Sequence, residues 1–470
     1  MRPATMEERV RDYIEAERAQ IPIPPATASR ILHALEASQP TPRRPRLAVI
    51  RLAAAVAAVL LIGVGIAWMR TAQMPAGIVN GTWSSASTMG IGRGYHTATL
   101  LPNGKVLVVG GSQTLRILAS AQLYDPRTRT WSSAGTLSTA RALHTATLLK
   151  SGKVLVVGGT SGQPYYVGSL ASAELYDPQT SSWALAASMH TPRSYHTATL
   201  LSDGRVLVVG GIEATNDVSG TVLTSAELYD PVTNGWTPTT PLPFARARHT
   251  AVLLADDRVL VIGGTDSAYP ASTGYFPTAE IYDPASQSWS QVGNMNAPRV
   301  DATATVLPDN RVLVVGDDGV NERTAEIFDP QTNGWLPIPD PGVARAEQVA
   351  VELRNGMVLV AGGVGEVSAQ LFDWRRNAWT NAGALSVIRA SATATILPDG
   401  RVLIAGGFGS KSIPWASAEV YDPHGTSLVA ARASRPAPIA GALLLGIPAL
   451  LLGLAVWLRR DHIVRETWID

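Results

Sequence analysis

Two residue types that could do chemistry recur at a fixed spacing along this chain of 470 residues. The chain contains seven copies of one repeated unit, and four of them hold a histidine at the same position: His96, His144, His196 and His249. The other three copies hold Ala302, Gln348 and Ala392 there. Histidines around a common axis would suit a metal or acid–base chemistry, but no carboxylate recurs beside them. We favour hydrogen bonds between neighbouring segments, and we predict no metal site, no catalytic residue and no cofactor.

An arginine stands three residues before that position in every copy. The seven arginines are Arg93, Arg141, Arg193, Arg246, Arg299, Arg345 and Arg389. If their guanidinium groups point at a common axis, the ring is a site for the carboxylate, sulfate or phosphate group of a ligand. A glutamate also repeats: Glu174, Glu227, Glu280, Glu326 and Glu419. The alternative is therefore that most of the arginines form ion pairs that hold the fold together.

One repeated unit supplies the elements that position these residues: HTATLLPNGKVLVVGG, a variable loop, then SAQLYDPRTRTW. The HTATLL segment ends in a turn such as Asn103-Gly104, whose residues tolerate positive φ, so KVLVVGG is predicted to be its antiparallel partner. The AELYDP segment and the segment around the tryptophan make a third and a fourth strand. Four strands per unit form one blade of a β-propeller.

The number of copies and the two ends of the repeat region predict how the ring closes. The second glycine or its equivalent recurs with a period of roughly 50 residues. Its positions are Gly111, Gly159, Gly211, Gly264, Asp317, Gly363 and Gly407. The seventh copy ends at Tyr421-Asp422-Pro423 without a tryptophan strand, whereas Trp83 stands unpaired before the first copy. We therefore predict an all-β, seven-bladed propeller over residues 77–427, closed by an N-terminal strand around Trp83 and flanked by two transmembrane helices.

The diglycine, the Tyr-Asp-Pro and the tryptophan at fixed offsets resemble the kelch family, in particular bacterial, galactose-oxidase-like kelch repeats, over residues 83–423. Kelch propellers include the substrate-binding domains of ubiquitin-ligase adaptors, some of which grip acidic peptides with arginines at this repeat position. They also include a sialic-acid epimerase and the propeller of galactose oxidase. The copper centre of that oxidase uses a tyrosine cross-linked to a cysteine, and this chain contains no cysteine. The resemblance therefore implies the fold, but not that cofactor.

The loops between second and third strands differ in length, and the long ones span residues 160–172, 212–225 and 265–278. Recognition is usually built on variable loops of a rigid scaffold. The candidate ligand-binding aromatic residues are Tyr165, Tyr166, Tyr269, Tyr275 and Trp415, with Phe276 beside them. Aromatic rings next to guanidinium groups suit a carbohydrate or a peptide. The alternative is that these rings pack against their own loops.

Two apolar segments flank the repeats. Residues 47–69, apolar apart from Arg51, and residues 437–458 each have the length of a membrane-spanning helix. Arginines concentrate before the first and after the second, so we predict cytoplasmic residues 1–46 and 459–470 and an extracytoplasmic propeller in the cell membrane. A cleaved signal peptide and a processed C-terminal tail are the alternatives. Residues 76–430 hold 28 acidic against 23 basic residues, so nucleic acid is not an expected partner.

These features predict a membrane-anchored module that binds a protein or a glycan at the propeller face. One alternative is a sugar-active enzyme, which requires at least one of the four histidines in an open cleft beside a carboxylate. Another is an envelope scaffold, or a transmembrane sensor with a helical regulatory head at residues 1–46. No nucleophile elbow, phosphate loop, dinucleotide fingerprint or zinc motif occurs in the chain, so binding is favoured over catalysis.

Overall fold

The computed structural model describes residues 78–114, 116–162, 168–214, 220–268, 274–316 and 324–428. These residues belong to one compact unit, Gly77–Val429. They form seven four-stranded antiparallel sheets, each one blade of a β-propeller. The part of the chain so described contains no α-helix and one short 3₁₀ turn, Ser410–Ser412. The prediction of an all-β, seven-bladed propeller is confirmed.

The first strand of each blade lies innermost and contacts the first strands of the two neighbouring blades, which closes the circle. Its Thr-Ala-Thr pattern fits this place because converging strands leave little room for large side chains. The inner strands are Thr97–Leu100, Thr145–Leu148, Thr197–Leu200, Thr250–Leu253, Thr303–Val306, Val349–Glu352 and Thr393–Ile396.

The second strand of each blade carries VLVV or a close variant of it and is covered on both faces, with 0–2% of each residue exposed. Continuous β-branched runs are expected where both faces of a sheet are buried. These strands are Val106–Val109, Val154–Val157, Val206–Val209, Val259–Ile262, Val312–Val315, Val358–Ala361 and Val402–Ala405. They form the hydrophobic core between adjacent blades.

The third strand pairs with the second and with an outer fourth strand. Third strands are Ser120–Asp125, Ala173–Asp177, Ala226–Asp230, Ala279–Asp283, Ala325–Asp329, Ser368–Asp373 and Ala418–Leu428. Fourth strands are Thr130–Thr136, Ser182–Ala186, Gly235–Thr239, Ser288–Gln291, Gly334–Pro337, Ala378–Ala384 and Ile78–Ala86. Short hairpins, Ser112–Gln113 with Arg116–Ile117 and Ile212–Glu213 with Thr221–Val222, extend from two of the loops between second and third strands.

The N-terminal strand closes the ring as predicted. Ile78–Ala86 pairs with Ala418–Leu428 in the seventh blade, and Trp83 lies opposite Tyr421 in this ladder. Their rings are 5.0 Å apart, within the 4.9–5.2 Å range of the equivalent ring pairs in the other six blades. The Trp83 indole N–H donates to the carbonyl of Ala382 in blade six at 2.7 Å, so the closing strand is also tied to its neighbour.

The diglycine that ends the second strand in six of the seven blades permits a close crossing between blades. Gly110 and Gly111 have φ of 59° and 98°, in the left-handed region that favours glycine. A Cβ at Gly110 would lie 2.3 Å from the carbonyl oxygen of Arg141, which belongs to the connection into the next blade. Glycine therefore repeats at this position because the second strand ends in close contact with the connection into the next blade.

Within residues 78–428, apart from the gaps given above, no helix is long and apolar enough to cross a membrane. The predicted spans 47–69 and 437–458 and the predicted cytoplasmic segments 1–46 and 459–470 lie outside the described residues.

Candidate functional site

The seven repeated arginines are buried at the starts of their blades, with 0–3% of each residue exposed. Each guanidinium donates through Nη1 to the backbone carbonyl that begins the diglycine position of its own blade, at 2.5–2.9 Å. It also reaches the carbonyl of the residue just before or at the start of the third strand. The arginine therefore joins the connection between blades to the second and third strands.

Five of these arginines pair with the repeated glutamate at 2.8–3.0 Å. The pairs are Arg141–Glu174, Arg193–Glu227, Arg246–Glu280, Arg299–Glu326 and Arg389–Glu419. This geometry favours ion pairing over ligand binding, because guanidinium groups held this way do not reach a ligand at the surface.

Arg93 and Arg345 differ because a glutamine, Gln122 or Gln370, replaces the glutamate in their blades. Arg345 donates to the Gln370 side-chain oxygen at 3.4 Å. Burial lowers the pKa of each of these two arginines to about 10. Both are as enclosed as the other five, so they too are placed inside the blades rather than in an open funnel.

The four histidines join neighbouring blades. Each is 5–7% exposed, and its Nε2 is hydrogen bonded at 2.9–3.0 Å to the threonine that begins the inner strand of the preceding blade. Burial lowers the pKa of His96 and His196 to about 3 and that of His144 and His249 well below the ordinary value. Gln348 takes the same role in blade six, since its side-chain N–H donates to Thr303 at 3.3 Å. These contacts match the predicted hydrogen bonds between segments.

The predicted aromatic residues are distributed over several loops. Tyr275 and Phe276 are partly buried, and the Arg246 guanidinium lies 5.3 Å from the centre of the Phe276 ring. Trp415 is partly buried and donates through its indole N–H to the carbonyl of Ile388 at 2.9 Å. Tyr165, Tyr166 and Tyr269 lie outside the described residues. The structure brings Trp415, but not Tyr275, close to the cleft described below.

A ring of residues that the sequence reasoning missed surrounds the axis. The residue just before the repeated histidine position has φ of 50–57° in every blade, although none is glycine. We call these seven residues the axial ring: Tyr95, Leu143, Tyr195, Arg248, Asp301, Glu347 and Ser391. Six backbone N–H···O=C bonds of 3.0–3.3 Å link consecutive members from blade to blade. The same backbone conformation thus occurs at seven positions that hold six different residue types.

The side chains of the axial ring divide it into two sectors. Tyr95, Leu143 and Tyr195 form an apolar and aromatic sector, while the other four positions carry charged or hydroxyl groups. Arg248 Nε donates to Asp301 Oδ1 at 3.1 Å, and its guanidinium lies 5.1 Å from the centre of the Tyr195 ring. The Ser391 hydroxyl donates to Glu347. All seven residues are partly exposed, unlike the arginines and histidines on either side of them.

A cleft of about 350 Å³ lies beside the axial ring. Its walls come from the connections into blades one, six and seven and from the loops between the second and third strands of blades six and seven. Glu347, Tyr95, Val364, Ile388 and Phe408 are among its lining residues. Trp415 supports the wall from behind through its bond to Ile388. No group of three or more potential metal-ligating side chains occurs among the residues that the structure describes.

We call the surface that carries the axial ring and this cleft the connection face, because the connections between blades form it. On this face five connections are bridged to the loop after the second strand of their own blade: Gly94 to Ser112, Ala142 to Thr160, Ser194 to Ile212, Ala247 to Thr265, and Ala390 to Phe408. These bridges hold the variable loops against the axial ring. The face therefore presents varied side chains on a fixed backbone.

Known proteins share this repeat. The family described as the KLHDC2/KLHL20/DRC7 kelch-repeats domain matches residues 77–264 and 143–363. The chain belongs to the kelch-repeat family. Kelch propellers generally serve as protein-interaction modules.

Relatives of this kelch protein include the kelch-like protein terF of Aspergillus terreus, 30% identical over 129 residues, and alpha-scruin of Limulus polyphemus, 27% identical over 143 residues. Kelch-like protein 23 of Homo sapiens is 31% identical over 157 residues. These alignments cover 27%, 29% and 33% of this chain and 27%, 15% and 26% of the relatives. The matched region is thus at most about a quarter of each relative's length.

A solved structure of a fungal alcohol oxidase of the AA5 family, in complex with copper, matches this kelch protein with a TM-score of 0.58. The match covers 73% of this chain and 76% of that chain at 19% sequence identity. At this identity the likeness concerns the fold alone.

The position of the axial ring could have been found in the sequence from its variability. Two residues after the repeated arginine, one position changes in almost every copy, whereas the arginine repeats in all seven copies and the histidine in four. Variation at a single position of a fixed frame indicates that the position does not serve the frame. The positive φ at that position could not be predicted from the sequence, because tyrosine and leucine seldom adopt it.

Proposed function

We propose that this kelch propeller binds a protein partner on its connection face, with the axial ring at the centre of the contact. The observation that carries the proposal is that the axial ring is partly exposed and holds six residue types in seven blades, while the arginine two positions earlier is buried and present in all seven. Side chains that hold a fold must repeat with the fold, whereas side chains that recognise a partner need not. Protein binding is also the general role of kelch propellers.

The composition of the connection face supports a protein partner. Aromatic residues and arginine are enriched at the centres of protein interfaces, and Tyr95, Tyr195 and Arg248 occur together in the axial ring. Val364 and Ile413, in the loops that border the cleft, are 59% and 53% exposed. Exposed apolar side chains beside a concave site are typical of a recognition surface.

No observation favours the sugar-active alternative over protein binding. That alternative requires a histidine in an open cleft beside a carboxylate. All four candidate histidines are instead buried between blades with Nε2 bonded to threonine. A glycan as the ligand, an envelope scaffold and a transmembrane sensor remain alternatives, and the experiment below separates a protein from a glycan.

The proposal includes an extracytoplasmic position at a membrane. The apolar segments 47–69 and 437–458 and the arginines outside them support it, because positive residues favour the cytoplasmic side. The pairing of Ile78 with Leu428 agrees, since chain segments preceding and following the propeller start from neighbouring points. Reporter fusions at each terminus and at the exposed turn containing Val232 would test it: a cytoplasmic Val232 reporter contradicts the proposal.

A displayed library of random peptides, selected against the full-length chain in detergent, tests the binding proposal. We expect the selected peptides to lose binding to Leu143→Arg and Ser391→Tyr. Both substitutions are compatible with the backbone, because Arg248 and Tyr95 occupy the same position in other blades. Val232→Arg is the control, since this residue is 91% exposed in a turn between third and fourth strands.

The proposal is contradicted if the peptides bind both ring variants as well as they bind the original chain. Selection that yields no peptide, together with glycan-array binding that is lost in the ring variants, would replace the protein partner with a glycan.

A further inference from the structure

The cleft beside the axial ring combines an apolar wall with one acidic group. Tyr95 and Phe408 stack in a tilted arrangement with their ring centres 5.2 Å apart, and Val364 and Ile388 continue the apolar lining. Glu347 is the one charged side chain among the residues that line the cleft. A ligand that fits this surface needs an apolar stem and a polar end.

Glu347 differs from the glutamates inside the blades in what it contacts. Its carboxylate accepts hydrogen bonds from the hydroxyls of Ser391 and of Tyr95, the latter at 3.5 Å. Among the described residues no lysine, arginine or histidine forms an ion pair with it, whereas the five blade glutamates each hold an arginine at 2.8–3.0 Å. In the part of the chain that the structure describes, the donors to this partly enclosed carboxylate are thus hydroxyl groups.

The charges around Glu347 leave this sector of the ring acidic. Arg248 is the basic side chain whose charge acts on Glu347, but it is paired with Asp301 and lies over the Tyr195 ring. The two carboxylates and one guanidinium give the sector a net charge of −1. Burial raises the pKa of Glu347, and the carboxylate of Asp301 adds to this effect while Arg248 and the two hydroxyls oppose it. A cation placed beside Glu347 would relieve the cost of keeping this carboxylate charged.

We propose that this cleft binds a basic side chain, arginine or lysine, of the protein partner, with the charged head at Glu347 and the stem along Phe408 and Val364. The inference rests on the proposed function, because it names what the same face recognises. Long basic side chains bury an aliphatic stem and keep a charged end, which is the pattern that the cleft offers. A guanidinium also stacks on aromatic faces such as Tyr95.

Two small probes test the inference on the full-length chain: N-acetyl-arginine methylamide and N-acetyl-citrulline methylamide, which differ in charge but hardly in shape. Titrations followed by saturation-transfer NMR give both dissociation constants. We expect the arginine probe to bind about tenfold more tightly than the citrulline probe. In Glu347→Gln this preference should fall to about twofold or less, because the amide keeps the shape and removes the charge.

The matched control is Glu352→Gln. Glu352 ends the inner strand of the same blade and is also partly exposed, and burial also raises its pKa. It lies away from the cleft, so the variant should keep the preference for arginine. Thermal unfolding of Glu347→Gln should stay close to that of the original chain, because its amide oxygen still accepts the Ser391 hydroxyl.

The inference is overturned if the original chain binds the two probes equally. It is overturned as well if the preference survives Glu347→Gln. Its failure is distinct from that of the proposed function: peptides that need the axial ring but contain no basic residue would support binding at this face and contradict the basic side chain.

Discussion

Adjacent positions in each connection between blades behave in opposite ways. The arginine is buried in all seven blades and the histidine in the four that have it, and both bond to their own or a neighbouring blade. The axial-ring residue between them is partly exposed and changes from tyrosine to leucine, arginine, aspartate, glutamate and serine. Because the backbone bonds of the ring form whatever side chain is present, its side chains are free to vary. The structural role and the proposed recognition role are thus separated within four residues of sequence.

The largest expected effect is the loss of stability when a buried ion pair is broken. Arg246→Met leaves Glu280 buried without its partner, and burial already raises the pKa of that carboxyl. We expect the free energy of unfolding to fall by about 3–5 kcal/mol in denaturant titrations. Arg93→Met is the control, because its blade holds a neutral glutamine and the substitution removes a buried charge. Equal losses of unfolding free energy in the two variants would contradict this prediction, because the unpaired Glu280 carboxylate would then add nothing to the loss.

The second effect is a loss of stability in mild acid caused by the four buried histidines. In the folded chain they stay neutral, since burial lowers the pKa to about 3 for His96 and His196, while the unfolded chain takes up protons around 6.5. The stability contributed by neutral histidines is therefore complete above pH 6.5 and falls as the pH drops below that value. The expected slope is about 1.4 kcal/mol per histidine per pH unit.

His196→Gln isolates one histidine, because Gln348 makes the equivalent contact in blade six. In urea unfolding between pH 7.5 and 5, the free energy of unfolding of this variant should depend less steeply on pH. The difference in slope from the original chain should equal the contribution of one histidine, about 1.4 kcal/mol per pH unit. An unchanged dependence would mean that His196 is not a neutral group in the fold.

The smallest effect concerns the ion pair of the axial ring. Arg248 and Asp301 are 14% and 22% exposed, so water screens their attraction more than in the blade pairs. A double-mutant cycle with Arg248→Gln and Asp301→Asn should give a coupling free energy of about 0.5–1 kcal/mol. A coupling free energy as large as that of Arg246 with Glu280 would mean that the axial ring stabilises the fold as much as the buried ion pairs do. It would contradict the distinction between the two sets of residues.

Most of the fold was predictable because its signals are local and repeated. The Asn103-Gly104 turn, the VLVV strands and the unpaired Trp83 gave the blades and their closure. The arginines were found as a set, but a repeat period does not say whether a guanidinium points to the axis or into a blade. Only the positions of Gly110 and Glu174 decide that. The axial ring escaped because its left-handed backbone is imposed by the neighbouring blades, not by residues such as Tyr95 that adopt it.

The most direct test of the central claim measures affinity and thermal unfolding together in two glutamate-to-glutamine variants of the full-length chain, using a peptide from the display selection. Glu347→Gln changes the axial ring, and Glu174→Gln changes a blade interior while recreating the arginine–glutamine pairing found at Arg345 and Gln370. We predict that Glu347→Gln weakens binding about tenfold and leaves unfolding unchanged, and that Glu174→Gln lowers the unfolding temperature and leaves the affinity within about twofold. If Glu174→Gln weakens binding and Glu347→Gln does not, recognition does not reside in the axial ring.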